Sequence, residues 1–102
     1  MKIYIVVTRY MSAIQDEAVF SSMANANSYL NTRGSNGSPD VIDDYVRGQI
    51  QEENKVFTAS TYDPSMDVHF YEGVYGSYES AKQAAGEQGQ VLDRVIYDRL
   101  TR

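Results

Sequence analysis

The sequence predicts an α+β fold: an internally duplicated ββαβ unit that forms a mostly antiparallel sheet with two helices on one face. Each copy begins with two β-rich runs joined by a short turn, which favours antiparallel hairpins. A helical spacing of apolar residues follows each hairpin. The repeat itself appears at a shift of 55 residues, where four identities recur: Glu17/Glu72, Val19/Val74, Ser22/Ser77 and Ala26/Ala81.

The length of 102 residues suits a single domain, with repeat 1 at about 1–51 and repeat 2 at about 52–102. No apolar run reaches about 18 residues, so neither a transmembrane helix nor a membrane partner is expected. The apolar run at the N-terminus is too short for a secretory signal. The chain has no cysteine, which excludes disulfides and thiolate metal sites and suits a cytoplasmic protein.

The net charge is −5, and it is uneven along the chain. Residues 1–50 hold four Lys/Arg against five Asp/Glu, whereas residues 51–102 hold five against nine. Binding to phosphates needs a positive surface, so we expect no direct nucleic-acid ligand. A basic protein partner would suit this charge. The plainer interpretation is that the charge serves solubility alone.

The first repeat opens with a strand over residues 2–10, which is rich in β-branched and aromatic residues. The strand is apolar on both faces, which is typical of a central position. Residues 11–13 are the predicted turn, and residues 14–20 form the second, antiparallel strand. Alternation along that strand places Ala18 and Phe20 on one face.

A short helix follows over residues 23–31, with the Ser22 hydroxyl placed to cap its N-terminus. Its apolar residues recur at i, i+3 and i+7, which indicates one buried face. The other positions are polar and weak in helix propensity, so this helix must be stabilised by the sheet. The Gly-, Ser- and Pro-containing segment 32–39 is predicted to be an exposed loop.

Residues 40–54 can be interpreted in two ways. As a helix, they would present one apolar stripe, and the domain would have three helices and a smaller sheet. As a strand over 41–51, they would match the later copy, because Val41-Ile42-Asp43 aligns with Val91-Leu92-Asp93 at a shift of 50. The β-rich composition of residues 91–100 favours the strand, and Gly48 weakens the helix.

The second repeat restarts with a strand over residues 55–62, a turn at 63–67 and a strand over 68–75. Ser77 is placed to cap the second helix, whose apolar residues match the spacing of the first. Gly86 to Gly89 ends that helix, and residues 91–100 are the closing strand.

His69 is the only histidine, and Asp63, Asp67 and Glu72 lie near it in sequence. These groups suggest an oxygen-rich metal site or an acid–base pair. The plainer interpretation is an exposed strand histidine beside turn carboxylates, because metal sites with histidine usually bring further ligands. Serines at the two helix starts are explained by capping. We therefore predict no catalytic residues, no metal and no cofactor.

Acidic pairs and tyrosines are the better candidates for function. Clustered carboxylates can mimic the phosphate spacing of a nucleic acid, and tyrosines supply contact area at interfaces. Several tyrosines also suit sheet packing. The predicted interaction residues are Asp43, Asp44, Tyr45, Glu52, Glu53, Asp63, Asp67, His69 and Tyr71.

Two segments carry a resemblance to a known group of proteins. They are Val19-Phe-Ser-Ser22 with Ala26, and Val74-Tyr-Gly-Ser77 with Ala81. A hairpin ending in such a segment before a helix resembles small uncharacterised phage and bacterial proteins built from tandem β-hairpin–helix–strand repeats. The resemblance implies a phage or mobile-element accessory protein in the host cytoplasm, and it carries over no site residue.

Three functions follow as hypotheses. The first is a non-enzymatic acidic protein-binding module, in its specific form a phage-encoded, anti-CRISPR-like inhibitor of a host nucleic-acid-binding or defence protein. The second is a structural or assembly protein that self-associates through a sheet edge, for example as a homodimer. The third is a small enzyme or metal binder that uses His69.

Overall fold

The computed structural model describes residues 1–10 and 13–99 of the chain. Met11 and Ser12 of the predicted turn, and Leu100 at the end of the predicted last strand, lie outside the described residues. Each repeat has two strands, a helix and a third strand. The first repeat contains β1 (Lys2–Tyr10), β2 (Ala13–Phe20), α1 (Met23–Arg33) and β3 (Asp40–Tyr45). The second contains β4 (Lys55–Asp63), β5 (Val68–Tyr75), α2 (Tyr78–Ala85) and β6 (Gln90–Val95), and the 3₁₀ turn Tyr97–Arg99 follows it.

The strands confirm the α+β class and the duplicated unit. β1 pairs antiparallel with β2 and β3 to form the first sheet, and β4 pairs antiparallel with β5 and β6 to form the second. The repeats thus build two three-stranded sheets in place of one continuous sheet, because among the described residues each central strand pairs only with strands of its own repeat. Both predicted serine caps are confirmed: Ser22 accepts from Asn25 N and Ser77 from Ser80 N, each at 3.2 Å.

The strand interpretation of the ambiguous segment is confirmed for Asp40–Tyr45, and the helical alternative is wrong. The strand is shorter than predicted, because residues 46–51 leave it and only Arg47 forms an isolated bridge. Val41 packs against the cluster beneath α1, whereas Ile42 packs against the core between the sheets. Adjacent residues can serve opposite faces only in a strand, which is why the apolar run here needs no helix. The last strand is shorter than predicted: β6 ends at Val95, after which Ile96 turns towards the first repeat.

The main core lies between the two sheets. Its fully buried side chains come from both repeats, and each contributes about 1.5–3 kcal/mol relative to exposure: Ile3, Ile5, Val7, Val19, Val56, Val74 and Ile96. The outer face of each sheet carries its own helix. Ala26 of α1 packs on the first sheet, and Ala81 of α2 packs on Ala59 of the second.

A β-bulge interrupts each hairpin at the same place. In the first sheet Val6 pairs with Ala18 and Val7 with Asp16, so that Glu17 is the extra residue. In the second sheet Glu72 is extra in the same way, between Gly73 and Tyr71. A bulge reverses the in–out alternation beyond it. Asp16 and Tyr71 therefore face the space between the sheets, where simple alternation would not place them.

The residues that follow the last strand of each repeat contact an edge strand of the other repeat. Ile96, after β6, forms a parallel bridge with Val19 of β2, and we call this contact the first seam. Arg47, after β3, forms a parallel bridge with Tyr75 of β5, and we call this contact the second seam. At the second seam Arg47 N donates to Val74 O at 2.9 Å. Each sheet is therefore completed by the other repeat.

Candidate functional site

The structure brings together two of the predicted interaction residues, Asp44 and Tyr71, at the second seam. The Tyr71 hydroxyl donates to Asp44 Oδ2 at 2.8 Å, and Arg47 Nη1 donates to the same oxygen at 3.2 Å. Burial, and then the hydrogen bond to Asp44, raise the pKa of the Tyr71 phenol. Asp43 points outward and pairs with Lys2 at 3.1 Å, and Tyr45 is 62% exposed. Asp44 and Tyr71 therefore hold the repeats together, and Asp43 and Tyr45 are on the surface.

A second group of predicted residues forms the β4–β5 hairpin tip. Ser65 donates to Asp63 Oδ1 from its amide at 3.0 Å and from its hydroxyl at 2.6 Å, and these bonds lower the pKa of Asp63. The Tyr62 hydroxyl donates to Asp67 Oδ1 at 2.6 Å, and the Tyr62 ring lies 5.0 Å from the His69 ring. The carboxylates thus shape the turn, and His69 packs beside a tyrosine.

Glu52 and Glu53 lie apart from both groups, in the turn before β4. Glu52 pairs loosely with Lys55 at 3.7 Å, and Glu53 is exposed. The predicted set is therefore spread over three separate places. Across residues 1–10 and 13–99, no group of three or more His, Cys, Asp or Glu side chains is arranged to hold a metal ion.

Sequence reasoning missed the buried ion pair at the first seam. The Asp16 side chain is only 2% exposed; Arg94 Nε donates to its Oδ2 at 2.7 Å and the Thr58 hydroxyl at 2.8 Å. Arg94 Nη2 also donates to the Asp16 carbonyl at 2.9 Å. Because two donors reach its Oδ2, the carboxylate is tolerated between the sheets. The sequence offered one signal for it: Asp16 aligns with Tyr71 at the shift of 55 residues.

The two bulge glutamates were also missed as a functional pair, although they are an identity of the repeat. Arg33 Nε donates to both carboxylate oxygens of Glu17, at 2.9 and 2.7 Å, and the Tyr29 hydroxyl donates at 2.6 Å. At Glu72 the Tyr75 hydroxyl donates at 2.8 Å. The signal that could have identified both positions was the recurrence of glutamate, at a shift of 55 residues, in the second strand of each predicted hairpin.

The carboxylates of the two repeats differ in their partners. Each of the five in residues 1–50 forms an ion pair with Lys or Arg. Among residues 51–98, only Glu52 and Asp93 form an ion pair within the described part of the chain. Five of the others are exposed: Glu53, Asp67, Glu72, Glu79 and Glu87. Within the described residues, the exposed carboxylates that lack an ion pair therefore all belong to the second repeat.

The edge strands β3 and β6 are where self-association through a sheet edge would occur. β3 and β6 each pair on one side only in the part of the chain that the structure describes. Asp43 on β3 and Asp93 on β6 are exposed charges on these strands. Charged side chains on an edge strand discourage pairing with another chain. Self-association stays a prediction, and these edges do not favour it.

Comparison with known proteins adds no assignment: no protein-family model, no curated protein and no solved structure matches this chain. The resemblance to small phage and bacterial proteins therefore stays a prediction. No helix among the described residues is long and apolar enough to cross a membrane.

Proposed function

We propose that this protein is a non-enzymatic, acidic protein-binding module whose partner presents a basic surface. The observation that carries the proposal is the set of five exposed carboxylates in the second repeat that no lysine or arginine of the described chain neutralises. Such charge attracts a cationic partner and accelerates its association.

The class of partner follows from this charge. Proteins that bind nucleic acids carry positive surfaces for phosphate contacts, and an exposed set of carboxylates competes for such a surface. We therefore propose a nucleic-acid-binding or defence protein of the host as the partner, with this chain as a phage-encoded inhibitor. Tyr45 and Tyr78, both exposed, offer additional contact area.

The test is affinity capture from a bacterial lysate, followed by kinetics with the purified captured protein. The binding variant carries Glu53→Gln, Asp67→Asn, Glu72→Gln, Glu79→Gln and Glu87→Gln. The control variant removes two exposed ion pairs whole, with Lys2→Gln, Asp43→Asn, Arg9→Gln and Asp40→Asn, so that net charge is unchanged.

We expect a stoichiometric basic partner whose association rate falls at least tenfold between low and high salt, as electrostatically steered association does. The binding variant should lose this association and the control variant should keep it. Capture of nothing stoichiometric, or equal binding by both variants, contradicts the proposed function.

A further inference from the structure

The first repeat contains a complete arginine–carboxylate contact on its bulge. Glu17 is held by the Arg33 guanidinium and the Tyr29 hydroxyl, and Arg33 also donates to the carbonyls of Gly34 and Asn36. A guanidinium suits this place because its planar array of donors can reach both a carboxylate and neighbouring carbonyls. The bulge glutamate is thus half of an arginine-binding arrangement.

The second repeat has the same bulge glutamate without the arginine. Helix α1 has 11 residues and carries Arg33 in its last turn, whereas α2 has 8 residues and ends at Ala85. The residue at the repeat shift from Arg33 is Gln88. Among residues 1–10 and 13–99, no Lys, Arg or His forms an ion pair with Glu72.

The second repeat still provides a tyrosine hydroxyl for its bulge glutamate. Ala84 stands at the repeat shift from Tyr29 and has no hydroxyl, but the Tyr75 hydroxyl donates to Glu72 Oε2 at 2.8 Å. The bulge and this hydrogen bond orient an exposed carboxylate before any partner arrives. Orientation in advance lowers the entropic cost of binding.

Arg47 is a cation near Glu72, and it contacts other residues. Arg47 donates to Asp44 at 3.2 Å, and its guanidinium lies 5.6 Å from the centre of the Tyr75 ring. Gly73 makes room for it: a Cβ on Gly73 would come within 2.6 Å of Arg47 Nη1. Arg47 therefore belongs to the second seam, and the Glu72 carboxylate has no ion-pair partner in the part of the chain that the structure describes.

From this difference between the repeats we propose that Glu72, supported by Tyr75, is a docking site for an arginine side chain of the basic protein partner. The inference deepens the proposed function and rests on it for the source of the arginine. It adds one position to the acidic surface at which arginine is preferred over lysine, because the first repeat satisfies the same carboxylate with a guanidinium.

The experiment is an NMR titration of the full-length protein with three capped tripeptides, Gly-Arg-Gly, Gly-Lys-Gly and Gly-citrulline-Gly. We expect saturable shifts centred on Glu72, Gly73 and Tyr75 with the arginine peptide, with a dissociation constant in the millimolar range. The lysine peptide should bind at least threefold more weakly, and the neutral citrulline peptide should produce no saturable shift.

Glu72→Gln should weaken the arginine peptide at least tenfold, and the control Asp40→Asn, an exposed carboxylate that already pairs with Arg9, should not change its affinity. Equal binding by Glu72→Gln, equal affinity for the lysine peptide, or the absence of any saturable shift overturns the inference. Shifts spread evenly over the exposed carboxylates overturn it too, while leaving the acidic-module proposal intact. Saturation at Glu72 with no captured partner supports the site and contradicts the proposed function.

A second variant tests the argument from the other repeat. Arg33→Ala exposes Glu17 and should create a new site for the arginine peptide, visible as a second saturable set of shifts around Glu17 and Tyr29. Arg33→Gln serves the same purpose where the alanine variant loses a dispersed spectrum. Failure of a folded variant to gain this site overturns the inference, because the first repeat would then not be an arginine-binding arrangement.

Discussion

The two bulge glutamates show how one turn of helix changes the use of a shared backbone. Glu17 and Glu72 occupy the same place in their hairpins, and each accepts a hydrogen bond from a tyrosine. The last turn of α1 brings Arg33 to Glu17, whereas α2 ends before it reaches Glu72. The repeats thus share the carboxylate, and two differences leave only the first one neutralised by its own helix: α2 is shorter, and Gln88 stands at the position of Arg33.

The two seams also differ in the side chains that occupy equivalent positions. Asp16 and Tyr71 are equivalent at the shift of 55, and Arg94 and Asp44 at the shift of 50. A buried ion pair with a threonine lies at the first seam, and a tyrosine–aspartate hydrogen bond beside Arg47 lies at the second. Equivalent backbone positions therefore hold the repeats together with different chemistry, and their energetic weights should differ.

The largest expected effect is at the first seam. Arg94→Met leaves the buried Asp16 carboxylate without its cation, and we expect a loss of about 3–5 kcal/mol in the free energy of unfolding. Urea denaturation measures it. The matched control Arg9→Met breaks the exposed pair with Asp40 and should cost less than about 0.5 kcal/mol. Equal losses in the two variants would show that the first seam is not a special ion pair.

A smaller effect is expected at the second seam. Tyr71→Phe removes the hydroxyl that donates to Asp44, and the loss should be about 1 kcal/mol because Arg47 still pairs with the carboxylate. The same denaturation experiment on Tyr62→Phe, which removes an exposed hydroxyl from the hairpin tip, is the control. A loss at position 71 as large as that of Arg94→Met would remove the distinction between the seams.

The third prediction concerns pH. The Arg33 hydrogen bonds hold the pKa of Glu17 below its ordinary value of 4.5. Because the folded pKa is the lower one, this contribution is complete above about pH 4.5 and is lost as the pH falls through the folded value. The difference in stability between wild type and Arg33→Ala should therefore shrink below pH 4.5, as thermal unfolding at pH 3 to 7 would show.

Arg33 also bonds to the carbonyls of Gly34 and Asn36, and that part of its contribution does not titrate. A difference between wild type and Arg33→Ala that stays constant from pH 7 to pH 3 would mean that only the loop contacts matter. The Glu17 pair would then have no measurable weight.

The smallest expected effect is at Glu72. Glu72→Gln keeps an acceptor for the Tyr75 hydroxyl and removes a charge that has no cation among the described residues, so the stability should change by less than about 0.5 kcal/mol. Thermal unfolding at neutral pH measures this change. A loss above about 1 kcal/mol would assign Glu72 a structural role like that of Glu17.

Local chemistry made most of the fold predictable. Ser22 and Ser77 cap their helices as predicted, and Gly86 ends α2 with a φ of 80°, where glycine is favoured. The repeat shift selected the strand at Asp40–Tyr45 over a helix. The candidate site was predicted less well: of the nine predicted interaction residues, only five are exposed, namely Asp43, Tyr45, Glu52, Glu53 and Asp67.

The bulges explain what was missed. One extra residue in a strand reverses the in–out alternation, and the alternation is the signal from which faces are inferred. Asp16 therefore lies in the core, and Tyr71 lies at the second seam. The pattern of neighbouring residues predicts neither position. The ion pair of Asp16 with Arg94 joins positions 78 residues apart, and no local rule connects them.

The sequence by itself determined the duplicated ββαβ unit, its caps and its excess of negative charge in the second half, because periodicity, turn chemistry and charge are local or additive properties. Only the tertiary structure decided that the unit builds two sheets, that each repeat completes the other, and that Glu17 has an arginine while Glu72 has no cation within residues 1–10 and 13–99. Those outcomes depend on strand register and on where a helix ends relative to another element, and both are settled by packing between distant segments.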